Sequence, residues 1–309
     1  MKILFATDGS DSASNAAGML TRFPFPVDRS AVVMTVFDSK LLAVGKHLDL
    51  DESQNRVIKE AEQTLREDID QLLADNASRL KDAGWVCSTE SRMGNPAEEI
   101  IKTADELQPD MIVLGSHGHK GVKHFLLGGV SDRVLRHAHC SVLIVKPSTR
   151  LSAPPDDSSQ HLPWRILVAY DGSNSAQEAI SLCASLPLHK DAEISVVSVM
   201  PMIHMYHQDL RQQLNPIWQQ KKLAQKKALE QAVNDLQWPT RQVTTELLEG
   251  ADVSQVILDI AKTRDIDLVV IGSKGRSTFE RFMLGSITNY VAGHAPCSVM
   301  VVRARVVPD

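Results

Sequence analysis

The chain has 309 residues, of which 43% are hydrophobic and 23% charged, enough apolar material for two independent cores. A formal net charge of −5 argues against a general nucleic-acid binder, which would show a basic face. No run approaches the ~18 apolar residues of a membrane span. Only Ile3 to Ala6 precede Asp8 as an apolar stretch, so no signal-peptide core is expected. The cysteines Cys87, Cys140, Cys183 and Cys297 lack C-x2-C spacing and read as reduced, buried thiols of a cytoplasmic protein.

In chain order, residues 2–7 and 31–37 have strand character, separated by a helix over 11–22 with Ser10 or Asp11 as its N-cap. Val57, Ala61, Leu65, Ile69, Leu72, Leu73 and Leu80 recur at helical spacing and predict one long amphipathic helix. Cys87 to Met93 is a third strand. Asn95 and Pro96 then open a helix, one as cap and the other in the first turn. Residues 111–115 and 141–146 complete five strands. Residues 148–163 are rich in Pro, Ser and Asp and form a linker between a first domain of residues 1–147 and a second of 164–309. The second domain repeats the order, with strands near 165–170, 193–199, 242–248, 267–272 and 298–303. Its long helix covers 215–236, with Ile217, Leu223, Ala224, Ala228, Ala232, Val233 and Leu236 as the expected buried stripe. Strands alternating with helices imply α/β domains: two tandem open parallel five-stranded sheets with helices on both faces. Val142–Val145 and Val299–Val302 are expected as edges that need cover.

The repetition extends to individual residues. Ile3-Leu4-Phe5-Ala6-Thr7-Asp8-Gly9-Ser10 returns as Ile166-Leu167-Val168-Ala169-Tyr170-Asp171-Gly172-Ser173, and Cys140-Ser141-Val142 as Cys297-Ser298-Val299. After the fourth strand of each copy stands a glycine pattern. In the second copy it is Gly272-Ser273-Lys274-Gly275, nine residues, then Gly285-Ser286-Ile287-Thr288. In the first it is Gly115-Ser116-His117-Gly118, nine residues, then Gly128-Gly129-Val130-Ser131. Glycines let a backbone approach a phosphate closely, and the second cluster opens a helix, where unpaired N–H groups and the dipole favour an anion. An Asp after strand one, G-x2-G-x9-G-[ST] after strand four, and a final strand beside a Cys-Pro pair (here inverted, Pro296-Cys297) together resemble the universal stress protein family in its tandem form. Gly129 departs from the pattern, standing where the family has Ser or Thr.

The resemblance implies a Rossmann-like fold and a site for ATP, with Mg²⁺ as an optional companion. It carries cofactor contacts onto Ala169, Asp171, Val199, Gly272, Gly275, Gly285, Ser286, Ile287 and Thr288. In the first copy it carries them onto Ala6, Asp8, Val36, Gly115, Gly118, Gly128, Gly129, Val130 and Ser131. Asp8 and Asp171 would contact the adenosine end, the alternative being Asx turns that start the first helices. The glycine clusters would donate backbone N–H groups to phosphates, aided by the Ser286 and Thr288 hydroxyls; turns with an ordinary N-cap are the alternative. Val36 and Val199 would line the base pocket or simply fill the core. The missing hydroxyl at Gly129 would weaken the first site by about 0.5–1.5 kcal/mol. The family's domains pair through their last strands, which a tandem chain would do internally; a homodimer of the whole chain is left open.

The histidines His117, His119 and His124, and His137 with His139 near Cys140, raise a metal reading, but neither set has third and fourth ligands in view. His204, Tyr206 and His207 could close over the second site or be plain loop. There is no P-loop and no G-x-S-x-G elbow, and no nucleophile–base pair can be named. The expected function is therefore an ATP-binding stress sensor that acts through protein partners. A weak ATP hydrolase or phosphotransferase and a nucleotide-free scaffold are the alternatives.

Overall fold

The computed structural model describes residues 1–37, 52–118, 127–147, 163–202, 208–240, 242–275 and 284–304. His119, His124, His204, Tyr206, His207 and the linker from 148 to 162 lie outside them. Two compact units divide the chain between Val145 and Lys146.

The first unit contains β1 (Lys2–Ala6), α1 (Asp11–Arg22), β2 (Ser30–Phe37), α2 (Glu52–Asp82), β3 (Val86–Met93), α3 (Pro96–Leu107), β4 (Met111–Gly115), α4 (Gly129–His137) and β5 (Ser141–Val145). Its strands pair in the order β3-β2-β1-β4-β5, all parallel. The chain thus steps one way from β1 to β3 and the other way from β4 to β5. Right-handed crossovers then put α1 and α2 on one face and α3 and α4 on the other. Consistent with this, α1 packs on α2 and α3 on α4. The direction reverses between β1 and β4, and the strand ends part there into a crevice.

The second unit follows the same plan. It contains β6 (Arg165–Ala169), α5 (Asn174–Ser185), β7 (Glu193–Pro201), α6 (Gln208–Asn234), β8 (Gln242–Gly250), α7 (Val253–Thr263), β9 (Leu268–Gly272), α8 (Ser286–His294) and β10 (Ser298–Val302). The order is β8-β7-β6-β9-β10, again parallel. Central strands are apolar throughout because both faces are covered: Ile3, Leu4, Phe5, Ile166, Leu167 and Val168 are fully buried. The strands expected as edges needing cover, β5 and β10, are buried at every residue.

Capping matches the sequence. Ser10 and Ser173 accept N–H bonds from Ala13 and Ala176, and Asn95 and Asp252 cap α3 and α7. The long helices differ from expectation. Val57 is 64% exposed, and α2 buries only its later positions, Leu73, Ala77 and Leu80. In α6 the expected stripe holds at Ala232 and Val233, which are buried beside Leu229, and fails toward the N-terminus, where Ile217, Leu223, Ala224 and Ala228 face solvent. The row continuing toward the N-terminus of α6 is Gln225, Lys222 and Trp218, half-buried. Gln225 Nε2 donates to Ser198 Oγ (2.8 Å), and Lys222 Nζ pairs with Glu249 Oε1 (2.6 Å). Polar side chains hold that stretch, so hydropathy pointed to the wrong face there.

Burial pushes the thiols of Cys183 and Cys297 up to about 12 from 9.0, because a thiolate would lose its hydration there. Both should resist alkylation in the native chain at pH 8 and react once urea is added. The stability gained by keeping them neutral is complete below pH 9 and declines as pH rises from there toward 12. Leu229→Ala should lower the urea midpoint by an amount equivalent to about 2–5 kcal/mol, and Ile217→Ser should change it by less than about 0.5 kcal/mol.

Candidate functional site

Beyond Ala169 the chain leaves β6 through a tight turn. Tyr170 N–H donates to Val197 O (2.8 Å), Asp171 Oδ1 accepts from Ser173 N–H (2.9 Å), and Gly172 sits at φ 79°. That positive φ is why a glycine follows the aspartate. Asp8, Gly9 and Ser10 repeat the turn, with φ 78° at Gly9 and a 3.0 Å bond to Asp8 Oδ1. The Asx-turn reading is therefore realised in both copies. The other oxygen, Oδ2, faces the glycine loop: a Cβ on Gly275 would lie 2.9 Å from Asp171 Oδ2, and one on Gly118 2.6 Å from Asp8 Oδ2.

The loop leaving β9 is pinned at several points. Ser273 N–H donates to Val302 O (2.8 Å) and Gly285 N–H to Ser273 O (2.9 Å). Thr288 Oγ1 donates to Gly272 O (2.8 Å). Ser116, Gly128 and Ser131 do the same in the first unit, with Ser131 Oγ donating to Gly115 O at 2.8 Å. These bonds change the expected roles. The Gly285 and Gly128 N–H groups and the Thr288 and Ser131 hydroxyls join strand end to helix start and are not directed at a ligand. Gly285 is the N-cap of α8 and offers no side-chain acceptor, so the first-turn N–H groups of Ser286, Ile287 and Thr288 form the anion-ready end of the helix.

Gly272 also has a packing reason. A Cβ there would meet Ser175 Oγ at 2.5 Å and Ala176 N at 2.8 Å; a Cβ on Gly115 would meet Ser12 backbone at 2.6 Å. By contrast, a Cβ on Gly129 meets nothing within 4 Å.

Ala169, Asp171, Val199, Gly272, Gly275, Gly285, Ser286, Ile287 and Thr288 all line one recess of about 120 Å³, partly open to solvent. Its floor is apolar, with Val197, Ile271, Val253 and Ile257, which sequence reasoning missed, as it did Tyr170 and Ala176; Lys274 of the glycine motif lines it too. The recess thus runs from an apolar floor to a rim with Lys274, glycine backbone and a helix N-terminus. The missed Val253 and Ile257 had a signal, their i, i+4 spacing at the start of α7. In the first unit Ala6, Asp8, Val36, Gly115, Gly118, Gly128, Gly129, Val130 and Ser131 hold the corresponding places. There the register Ala6↔Met34, set against Ala169↔Val197, puts a longer side chain at the floor position. His117 takes the place of Lys274, with its Nδ1 3.0 Å from Ser116 Oγ.

Among the described residues no three His, Cys, Asp or Glu side chains converge as metal ligands. His139 Nδ1 instead pairs with Asp105 Oδ1 (2.8 Å). No described helix is long and apolar enough to cross a membrane.

Residues 1–146 and 164–303 each match the model of the universal stress protein family. The chain belongs to that family, with two copies of its domain, and a general stress-response role follows from that membership. A universal stress protein of Methanocaldococcus jannaschii is 33% identical over 146 residues, covering 47% of this chain and 81% of its own length. One of Mycolicibacterium smegmatis is 28% identical over 228 residues, covering 72% of this chain and 70% of its own. Among solved structures, a universal stress protein from Archaeoglobus fulgidus aligns with a TM-score of 0.60 at 21% identity, over 98% of this chain and 96% of that one, a likeness of fold.

The glycines should separate on substitution. Gly129→Ala, entering open space in a helical turn, should raise the melting temperature or leave it unchanged, whereas Gly272→Ala should lower it by several degrees.

Proposed function

We propose that the second unit binds an adenine nucleotide, ATP foremost, and reports its occupancy to protein partners without efficient turnover. The observation that carries this is one recess joining an apolar floor to the open N-terminus of α8 and Lys274. An apolar slot suits a flat heterocycle, and a helix N-terminus beside an ammonium suits a polyphosphate. Mg²⁺ would travel with the phosphates, since the described residues offer no ready-made cage for it.

The first unit is the weaker site. It has no hydroxyl at Gly129 where Ser286 stands, and Met34 replaces Val197 at the floor. One surplus methylene in a fitted pocket costs about 1–3 kcal/mol. The one serine–histidine contact described, Ser116 Oγ to His117 Nδ1 at 3.0 Å, lies in the first unit and not at the proposed second site, and turnover is not part of the proposal.

Isothermal titration of nucleotide-stripped chain with ATP and Mg²⁺ should give saturable binding at one dominant site. Gly275→Ala, whose Cβ would press on Asp171 Oδ2, should weaken it at least tenfold, while Gly118→Ala should leave the dominant site unchanged. Absence of saturable heat in any buffer would sink the proposal. Phosphate release above background, lost in Asp171→Ala, would instead favour the hydrolase.

A further inference from the structure

We propose that Ser175 is a positioning residue of the nucleotide site, and that Gly272 is a glycine so that Ser175 can reach its place. The proposal rests on the nucleotide reading of the second unit.

Ser175 lies in the first turn of α5, two residues past the N-cap. The capping itself is done by Ser173, whose Oγ accepts from Ala176 N–H (3.3 Å). Ser175 is buried, and its hydroxyl lies 3.4 Å from Ser173 Oγ. Its Oγ donates to Lys274 O (2.7 Å) and accepts from Lys274 N–H (3.3 Å), across 99 residues of sequence. Ser173 Oγ reaches the same carbonyl at 2.9 Å. Both backbone groups of Lys274 are therefore held by serines of α5. A residue gripped at its N–H and C=O has little freedom in φ and ψ, so the Lys274 side chain and the peptide leading to Gly275 are set in direction. Gly275 in turn sits against Asp171, and Lys274 lines the rim of the recess.

Such a grip requires close approach of strand and helix. With a side chain at position 272, the added carbon would stand 2.5 Å from Ser175 Oγ and 2.8 Å from the Ser175 carbonyl carbon, both inside contact distance. The first glycine of the motif thus admits the serine, and the serine places the loop. A serine in an exposed helix turn gains nothing over alanine in helix propensity; its contribution here is to the loop.

The first unit carries a looser counterpart, in which Ser12 holds the N–H and Ser10 reaches the carbonyl. Ser12 Oγ accepts from His117 N–H (3.2 Å), Ser10 Oγ reaches His117 O (3.5 Å), and a Cβ on Gly115 would lie 2.6–2.7 Å from Ser12 atoms. Two units that differ at the floor, at the rim cation and at Gly129 share this clamp, and the sequence signal is Asp-Gly-Ser-x-Ser at 8–12 and 171–175.

The test measures ATP and adenosine affinity and melting temperature of the full chain, with hydrogen exchange of the peptide spanning Lys274. Ser175→Ala should weaken ATP about tenfold, two hydrogen bonds to one residue being lost, and leave adenosine, which has no phosphates, within about twofold. Exchange around Lys274 should quicken. In Gly272→Ala, adding Ser175→Ala should cause little further loss of ATP affinity, since the two substitutions disable one contact. Ser12→Ala should leave the dominant ATP site unchanged. Equal losses of ATP and adenosine, unchanged exchange at Lys274, or additive losses in the double variant would each overturn the clamp while leaving nucleotide binding in place. No ATP binding by the unsubstituted chain would overturn the nucleotide reading, and exchange at Lys274 would then still decide whether Ser175 holds the loop.

Discussion

At the crevice where β6 and β9 part, two segments distant in sequence pass within contact distance: the first turn of α5 and the end of β9. Backbone meets backbone there, with room for a hydrogen atom at position 272 and for no methyl group. Three features of the site follow from that closeness. The serines of α5 reach Lys274, the loop turns back so that Gly285 N–H meets Ser273 O, and α8 starts with its N-terminus facing the recess. The anion-ready end is thus a consequence of strand–helix packing, and β1, α1 and β4 repeat it in the first unit.

This arrangement alters how the glycine pattern is understood. A loop dense in glycine suggests backbone donors for a phosphate, but its members do different things. Gly272 and Gly115 serve close packing, Gly285 and Gly128 use their N–H groups to tie the loop to itself, and Gly275 and Gly118 lie against an aspartate. The N–H groups that follow Gly285, like those that follow Gly128, stand at a helix start with no side-chain cap. Gly129 has no steric reason to be glycine, so its difference from Ser286 is one of chemistry and not of fit.

Within the recess the two units differ at a few identifiable positions. The framework of turn, N-cap and helix start is common to both, with distances that agree closely, while the clamp is looser in the first unit, 3.5 Å from Ser10 Oγ to His117 O against 2.9 Å from Ser173 Oγ to Lys274 O. What differs is what a ligand would touch: Val197 against Met34, Lys274 against His117, Ser286 against Gly129. A duplicated scaffold can keep its packing while one site drifts, because packing and ligand contact fall on different atoms.

The sequence by itself determined the strand and helix order, the duplication, the cap at Asn95 and a cap at Ser10 or Asp11, and part of the lining of the second recess. Those are local or periodic properties: apolar runs, turn chemistry and glycine spacing are written in adjacent residues. It did not determine the buried face of α6 toward its N-terminus, because Gln225 and Lys222 point inward to partners on other elements, Ser198 and Glu249, which hydropathy does not register. Nor did it separate glycines that serve packing from those that only line the recess, or show that the Thr288 and Ser131 hydroxyls are tied to strand ends. Only the tertiary structure decided these, since each depends on which atoms of remote segments come within hydrogen-bond or contact distance, a property of the packed chain and not of any window along it.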